Sequence, residues 1–211
     1  MSSDTRLTII VRGDDEYGVM HPLWIDENGE ELKICPFSFS DSADPVCDWD
    51  TLEEESFANC QLNGANFSDA FLEGRDFHKA QLEKADFSRA VLRMANFSFA
   101  DLSGAILCHA DLTYAELYMT MMVAADLRYA NLCKANLRSC YLGSANLEGA
   151  DLEFAILAEA DLRGANLRNV NLHAALLEGA LIDSNTILPV SRSEAECLGM
   201  IFTTPKQGRH R

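Results

Sequence analysis

The chain has 211 residues, 48% of them apolar, and carries 33 acidic against 17 basic side chains for a net charge of −16. That balance repels nucleic acid and favours either plain solubility or cationic partners, and no stretch is apolar for the roughly 20 residues of a membrane span. Seven cysteines scatter without metal spacing, and the opening MSSDTRLTII lacks signal-peptide anatomy, so reduced thiols in a cytoplasmic protein are expected.

The charge is unevenly distributed. Residues 1–54 carry a net −11, residues 55–184 a net −7 and residues 185–211 a net +2. The first segment begins with TRLTIIVR (5–12), which reads as a strand, followed by GDDEYG as a turn. VMHPLWI and DENGEELKI then read as a hairpin with Asn28-Gly29 at its tip. From Cys35 to Glu54 the chain is acidic and irregular, with one helical turn expected over Asp50–Glu54. Residues 1–54 are thus expected to form an acidic β-hairpin unit that caps the rest of the chain.

From Phe57 to Ile182 the sequence repeats every five residues: ANFSD, AQLEK, ADLRY, ANLCK, ADLRG. Leu or Phe holds the central position at 23 of the 25 sites from Leu62 to Ile182, and Ala stands two residues earlier at 20 of 25. On a helix a step of five turns the leucine by roughly 140°, so no apolar stripe forms. In a flat strand an odd period sends successive leucines to opposite faces. A short extended piece followed by a turn satisfies both constraints, with the Ala/Leu pair inward and the other three positions outward. If each corner is about a right angle, four units close a coil of 20 residues, and coils stack at about 4.8 Å. Asn96, Asp101, Asp111 and Asn131 suit such turns because their side chains bond nearby backbone. Residues 20 apart then form columns. Phe57/Phe77/Phe97 and Phe67/Phe87 should face each other across the axis, with Cys60 and Cys140 as small inward substitutes for Ala. Arg75 also occupies an inward Ala position, above Glu55, and either bends outward or pairs with a carboxylate at the cap junction.

After Ile182 the motif fades through DSNTILPV. Ser191 or Ser193 can cap a short helix over about 192–201, whose Leu198, Met200, Ile201 and Phe202 would cover the end of the coil. Residues 185–211 are therefore expected to be a capping helix with a free tail.

The repeat resembles the pentapeptide-repeat family, with its A(D/N)LXX motif, over some 130 of the 211 residues. The resemblance implies an all-β fold: a right-handed, quadrilateral parallel β-helix, here with a small N-terminal β cap and a short C-terminal helix. More distantly it points to bacterial members that protect or inhibit DNA gyrase as acidic DNA mimics. This array departs from those members. No loop breaks its register, no C-terminal dimerisation module is recognisable, and Ala and Leu rather than Cys and Phe dominate.

No GxGxxG after a strand, GxxxxGK[ST], HExxH or CxxC occurs, and His21, His78, His109, His173 and His210 share no spacing for a metal site or triad. No catalytic residue, cofactor or metal is expected. What remains is surface. Outward positions hold Phe99, Tyr114, Tyr118, Met119, Met121, Val123, Tyr129 and Tyr141, a composition that protein interfaces prefer. Phe71 and Val91 near one end, and Ile156, Leu176 and Leu181 near the other, are expected to be covered by the terminal segments. Asp86, Asp111, Asp126, Asp151, Glu153 and Asp161 form partial acidic rows. Two functions are compatible with these features. The first is a non-catalytic scaffold or regulator that binds a protein partner through the apolar corner. The second is an acidic DNA mimic acting on a DNA-binding enzyme such as gyrase. Direct nucleic-acid or membrane binding is expected in neither, and a homodimer stays open.

Overall fold

The computed structural model describes residues 8–13, 20–25 and 56–204. Near the N-terminus β1 (Thr8–Gly13) pairs antiparallel with β2 (Met20–Ile25), Thr8 opposite Ile25 and Gly13 opposite Met20. The sequence pattern instead sets the second segment against the stretch after Asn28-Gly29. That turn, Glu55 and the acidic 35–54 lie outside the described residues.

From Ser56 onward the chain coils with four five-residue units per rung, because each outward residue before a central Leu or Phe bridges in parallel to the residue 20 positions on. Four walls result. Wall 1 has centres Phe57, Phe77, Phe97 and Leu117 upward, wall 2 runs from Leu62 to Ile182, wall 3 starts at Phe67 and wall 4 at Leu72. The central residues and the Ala two places earlier fill the axis almost without exception. The phenylalanines form the expected columns. Rings one rung apart stack at 4.7–4.8 Å and within 9° of parallel, and they meet the opposite column edge-on at 5.6–5.8 Å.

Ala110-Asp111-Leu112-Thr113-Tyr114 shows why five residues suffice. The Ala110 N–H donates to Leu107 O (3.1 Å), closing the preceding turn, and Asp111 N–H donates to Ala90 O (2.9 Å) in the rung below. Leu112 and Tyr114 donate to Asn131 O (2.7 Å) and Cys133 O (3.1 Å) in the rung above. The remaining N–H, that of Thr113, is taken by the Asp111 carboxylate at 3.1 Å. Every donor is satisfied.

The turn needs positive φ at the last residue of the unit. All 25 such positions from Asn59 to Gly179 have it: 54–63° at 19 non-glycine residues and 67–75° at six glycines. Asn59, Asp69 and Asn169 are among the left-handed residues, but the recurrent Asn and Asp of the motif are not, contrary to what their turn preference suggests. They sit three places earlier and supply the side-chain acceptor. Left-handed backbone costs a non-glycine residue roughly 1–2 kcal/mol, yet Met94, Phe99, Tyr114 and Phe154 hold it. Their N–H groups bond to the next rung, which offsets that cost. At Gly149 the requirement is sterically tighter, since an added Cβ would lie 2.6 Å from the Tyr129 ring.

Arg75 sits half-buried in the Ala column, where partial desolvation holds its guanidinium below the ordinary value. Thr120 is the other polar inward residue. Its hydroxyl donates to Phe97 O (2.8 Å), and its own carbonyl accepts the Cys140 thiol (3.1 Å).

The register slips once, at the C-terminal end, where Asn166 bridges to Ile187 instead of to residue 186. Asp183 and Thr186 absorb the extra residue. Asp183 Oδ1 accepts the Asn185, Thr186 and Gly164 N–H groups, and the Thr186 hydroxyl donates to Leu162 O. The closing helix α1 (Arg192–Cys197) is shorter than expected, and Ser191 is its N-cap, accepting from Glu194 N–H at 3.3 Å. The chain then returns to the coil as β4 (Ile201–Phe202), parallel to β3 (Leu181–Ile182). Ala195 and Met200 plug the end, whereas Leu198, Ile201 and Leu176 remain exposed. The expected cover thus reaches Leu181 but not Leu176.

Leu132→Asp places an unpaired carboxylate in the axis and should cost several kcal/mol. Asn131→Ser should change stability by less than about 1 kcal/mol, because Ser56 Oγ accepts the Ala58 N–H as Asn131 accepts that of Cys133. Equal losses of Tm in the two variants would refute the inward and outward assignment.

Candidate protein-binding surface

The outer face is built from three columns per wall, and the identity of the residue before each centre decides its local chemistry. Every Asp or Asn in that position accepts the N–H two residues on, from Asn66 to Asn171. The six acidic residues singled out in the sequence are engaged in this way or with cations. Asp86 accepts Ser88 N–H at 2.8 Å. Asp111 accepts Thr113 N–H and hydroxyl, with Arg93 at 4.0 Å. Asp151 accepts Glu153 N–H (3.0 Å) and the Asn171 amide (2.9 Å), while Glu153 lies 3.0 Å from the His173 ring. Asp126 and Asp161 are each gripped by both arms of the arginine two residues on, Arg128 and Arg163, at 2.5–2.8 Å. That bidentate bond holds both carboxyls below the usual range, against the opposing effect of partial burial. Arginines thus pair with Asp126 and Asp161 and approach Asp111 within the acidic rows.

Met121 and Tyr141 occupy the same position on wall 2, one directly above the other. Neither side chain can accept the N–H two residues on, and the Val123 and Gly143 N–H groups have no partner among the described residues. Phe71/Val91 and Ile156/Leu176 make the same departure near the ends of the coil. Away from the ends, Met121/Tyr141 is the one pair in successive rungs. Around it, Met121, Val123, Tyr141 and Phe99 are 42–44% exposed, with Tyr118 and Met119 half-buried beside them. His78, Phe99 and Tyr118 climb the corner between walls 1 and 2 edge-to-face, at 5.5 and 5.4 Å.

Two of the eight predicted interface residues stand elsewhere. Tyr114 lies at the corner between walls 4 and 1, where its hydroxyl accepts from Lys134 Nζ at 2.7 Å. Tyr129 lies at the corner between walls 3 and 4, diagonally opposite Phe99, stacked on His109 at 5.1 Å. The surface is thus Phe99, Tyr118, Met119, Met121, Val123 and Tyr141. Sequence reasoning missed the open N–H groups, although a missing Asp or Asn in two units 20 residues apart was the available signal.

Among the described residues no group of three or more His, Cys, Asp or Glu is placed to hold a metal ion, and no helix is long and apolar enough to cross a membrane. The family model described as pentapeptide repeats matches eight copies, over residues 56–93, 95–128, 123–153 and 145–182. The chain belongs to the pentapeptide-repeat family. No curated protein matches it. Among solved structures it is similar to HetL, a pentapeptide-repeat protein involved in heterocyst differentiation regulation in the cyanobacterium Nostoc sp. strain PCC 7120. The identity is 33%, over 63% of this chain and 70% of that one, with a TM-score of 0.35. It is also similar to Rfr23 from the cyanobacterium Cyanothece 51142, at 28% identity over 64% and 92%, TM-score 0.44. A third similar structure is QnrB1, a plasmid-mediated fluoroquinolone resistance protein, at 21% identity over 71% and 84%, TM-score 0.39.

Met121→Asn and Tyr141→Asn should each raise stability, by about 0.5–1.5 kcal/mol, by supplying the missing acceptor. A fall in Tm would make both residues structural. For the clamped carboxyls, stabilisation is complete above the ordinary unfolded value of about 4 and is lost as pH falls through the lowered folded value. Asp126→Asn/Asp161→Asn keeps the turn acceptors and removes the charge. Thermal melts should therefore show a shallower loss of stability below pH 4 than in wild type.

Proposed function

We propose that this protein is a non-catalytic binding protein, a scaffold or regulator that engages a protein partner through the aromatic and methionine surface of wall 2 and its leading corner. One observation carries this reading. In mid-coil, units in two successive rungs of wall 2 replace the turn-closing Asp or Asn with exposed Met121 and Tyr141, leaving backbone donors open. Local rules broken without a structural gain mark functional sites, and Met and aromatic side chains are what interface cores contain. In this reading the coil has the right-handed turn of its family, the acidic residues 1–54 cap its first rung, and the protein works in the cytoplasm.

The alternative is an acidic DNA mimic acting on a DNA-binding enzyme such as gyrase. The net charge of −16 favours it, but arginines grip Asp126 and Asp161 on the coil itself. The two readings differ in salt dependence. Apolar burial is not screened, whereas a mimic's attraction falls steeply as the Debye length shrinks below about 8 Å.

The test is quantitative capture from host lysate, at low and high salt, by immobilised wild type and by Tyr118→Ser/Met121→Ser. The binding reading expects the double variant to keep its Tm and lose its partner by about tenfold or more, with little effect of salt. A silent double variant, together with salt-sensitive capture and an effect in a gyrase supercoiling assay, would replace it with mimicry.

A further inference from the structure

We propose that the occupant of this surface is a second copy of the chain, packed wall 2 against wall 2 with the two coils antiparallel. The inference rests on the reading of that surface as protein-binding, and it is carried by a symmetry in the charges around it.

Wall 2 is suited to face-to-face packing. Its bridges keep one register from Gln61 to Leu181, each outward residue paired in parallel with the one 20 positions on, so the outward columns stay aligned rung on rung. Between Asp101 and Ser144 its outward positions hold no charge except Asp101 itself, and Gly104, Ala124, Gly143 and Ser144 keep it low.

Place a twofold axis over Met121, in the plane between the copies and across the coils. Each column is then read in reverse by the second copy. Tyr118, Met119, Met121 and Val123 meet their own equivalents at the centre. Lys79 lies as far below Met119 as Glu159 lies above it, so Lys79 faces Glu159 of the second copy. By the same operation Glu83 faces Arg163 of the second copy, and Asp101 meets the Tyr141 hydroxyl. Each pairing occurs twice, and no like charges oppose one another anywhere on the wall or its leading corner. Within the chain, Arg138 (2.8 Å) positions Glu159 and Asp161 (2.5 Å) positions Arg163. Lys79 and Glu83 have no ion-pair partner among the described residues. A parallel arrangement would instead set Lys79 against Lys84 of the second copy. The charge pattern therefore selects the antiparallel pair, as electrostatic complementarity sets register in interfaces generally, and the contact is isologous. The face spans five rungs, about 24 Å at the strand spacing, so a reversible dimer is expected.

Sedimentation equilibrium on the full chain tests this. Wild type should show a monomer–dimer equilibrium. Lys79→Glu sets two carboxylates face to face, and Glu159→Lys sets two ammonium groups face to face, so each alone should weaken the dimer by about tenfold or more without lowering Tm. An equimolar mixture of the two variants should restore the wild-type dimer, because Glu at 79 in one chain then meets Lys at 159 in the other. Glu83→Arg and Arg163→Glu provide a second, independent swap. A wild type that stays monomeric to about 100 µM overturns the proposal, as does a mixture no more dimeric than its components. If wild type is monomeric while Tyr118→Ser/Met121→Ser still abolishes partner capture, the second copy is wrong and the binding surface stands. If that variant also leaves capture intact, both are wrong.

Discussion

Each unit of the array depends on one residue held at positive φ, because that residue turns the chain through a corner and sends its N–H into the next rung. Nineteen of these positions are not glycine. The left-handed backbone is tolerated because backbone carbonyls of the same coil satisfy four of a unit's five donors, and where Asp or Asn precedes the centre its side chain satisfies the fifth. The other features derive from this corner. Ala must be small where the chain passes near the axis, Leu or Phe must fill the axis, and residues 20 apart must lie in columns. The Phe stacks at 4.7–4.8 Å are the rung spacing made visible in side chains.

Much of this was legible in the sequence. A period of five excludes helix and flat strand, the Ala/Leu pair marks the inward face, and columns arise from four units per rung. The position of the left-handed residue was not legible, since bulky Met94, Phe99 and Phe154 hide it and Asn and Asp point to the wrong place. The slip at Asp183–Thr186 was hidden because one extra residue has no periodic signature. The C-terminal helix was overextended because Ile201 and Phe202 read as equally good helix or strand residues. Of the candidate surface, the apolar residues were legible but not their division among corners, which put Tyr114 and Tyr129 away from the rest. The acidic rows were visible as counts of carboxylates, whereas arginines two residues on pair with Asp126 and Asp161.

The surface chemistry separates two uses of the same position. Where it holds Asp or Asn, the side chain serves the backbone and its charge is spent locally. Where it holds Met121 or Tyr141, the backbone loses a partner and the molecule gains exposed apolar area. Interfaces are recognised by such aromatic and methionine cores more than by overall hydrophobicity. The flanking charges, Lys79 and Glu83 below and Glu159 and Arg163 above, are ordered so that reversing the wall brings opposite signs together.

The central claim is that Asp or Asn closes each unit's fifth donor and that Met121 and Tyr141 leave it open for binding. Residue-resolved amide hydrogen exchange, measured in dilute dissociated protein, tests it most directly. The account predicts slow exchange at Thr113 and Cys133, whose N–H groups are held by Asp111 and Asn131, and fast exchange at Val123 and Gly143 between protected neighbours. Val123 and Gly143 amides as protected as those of Thr113 and Cys133 would contradict it.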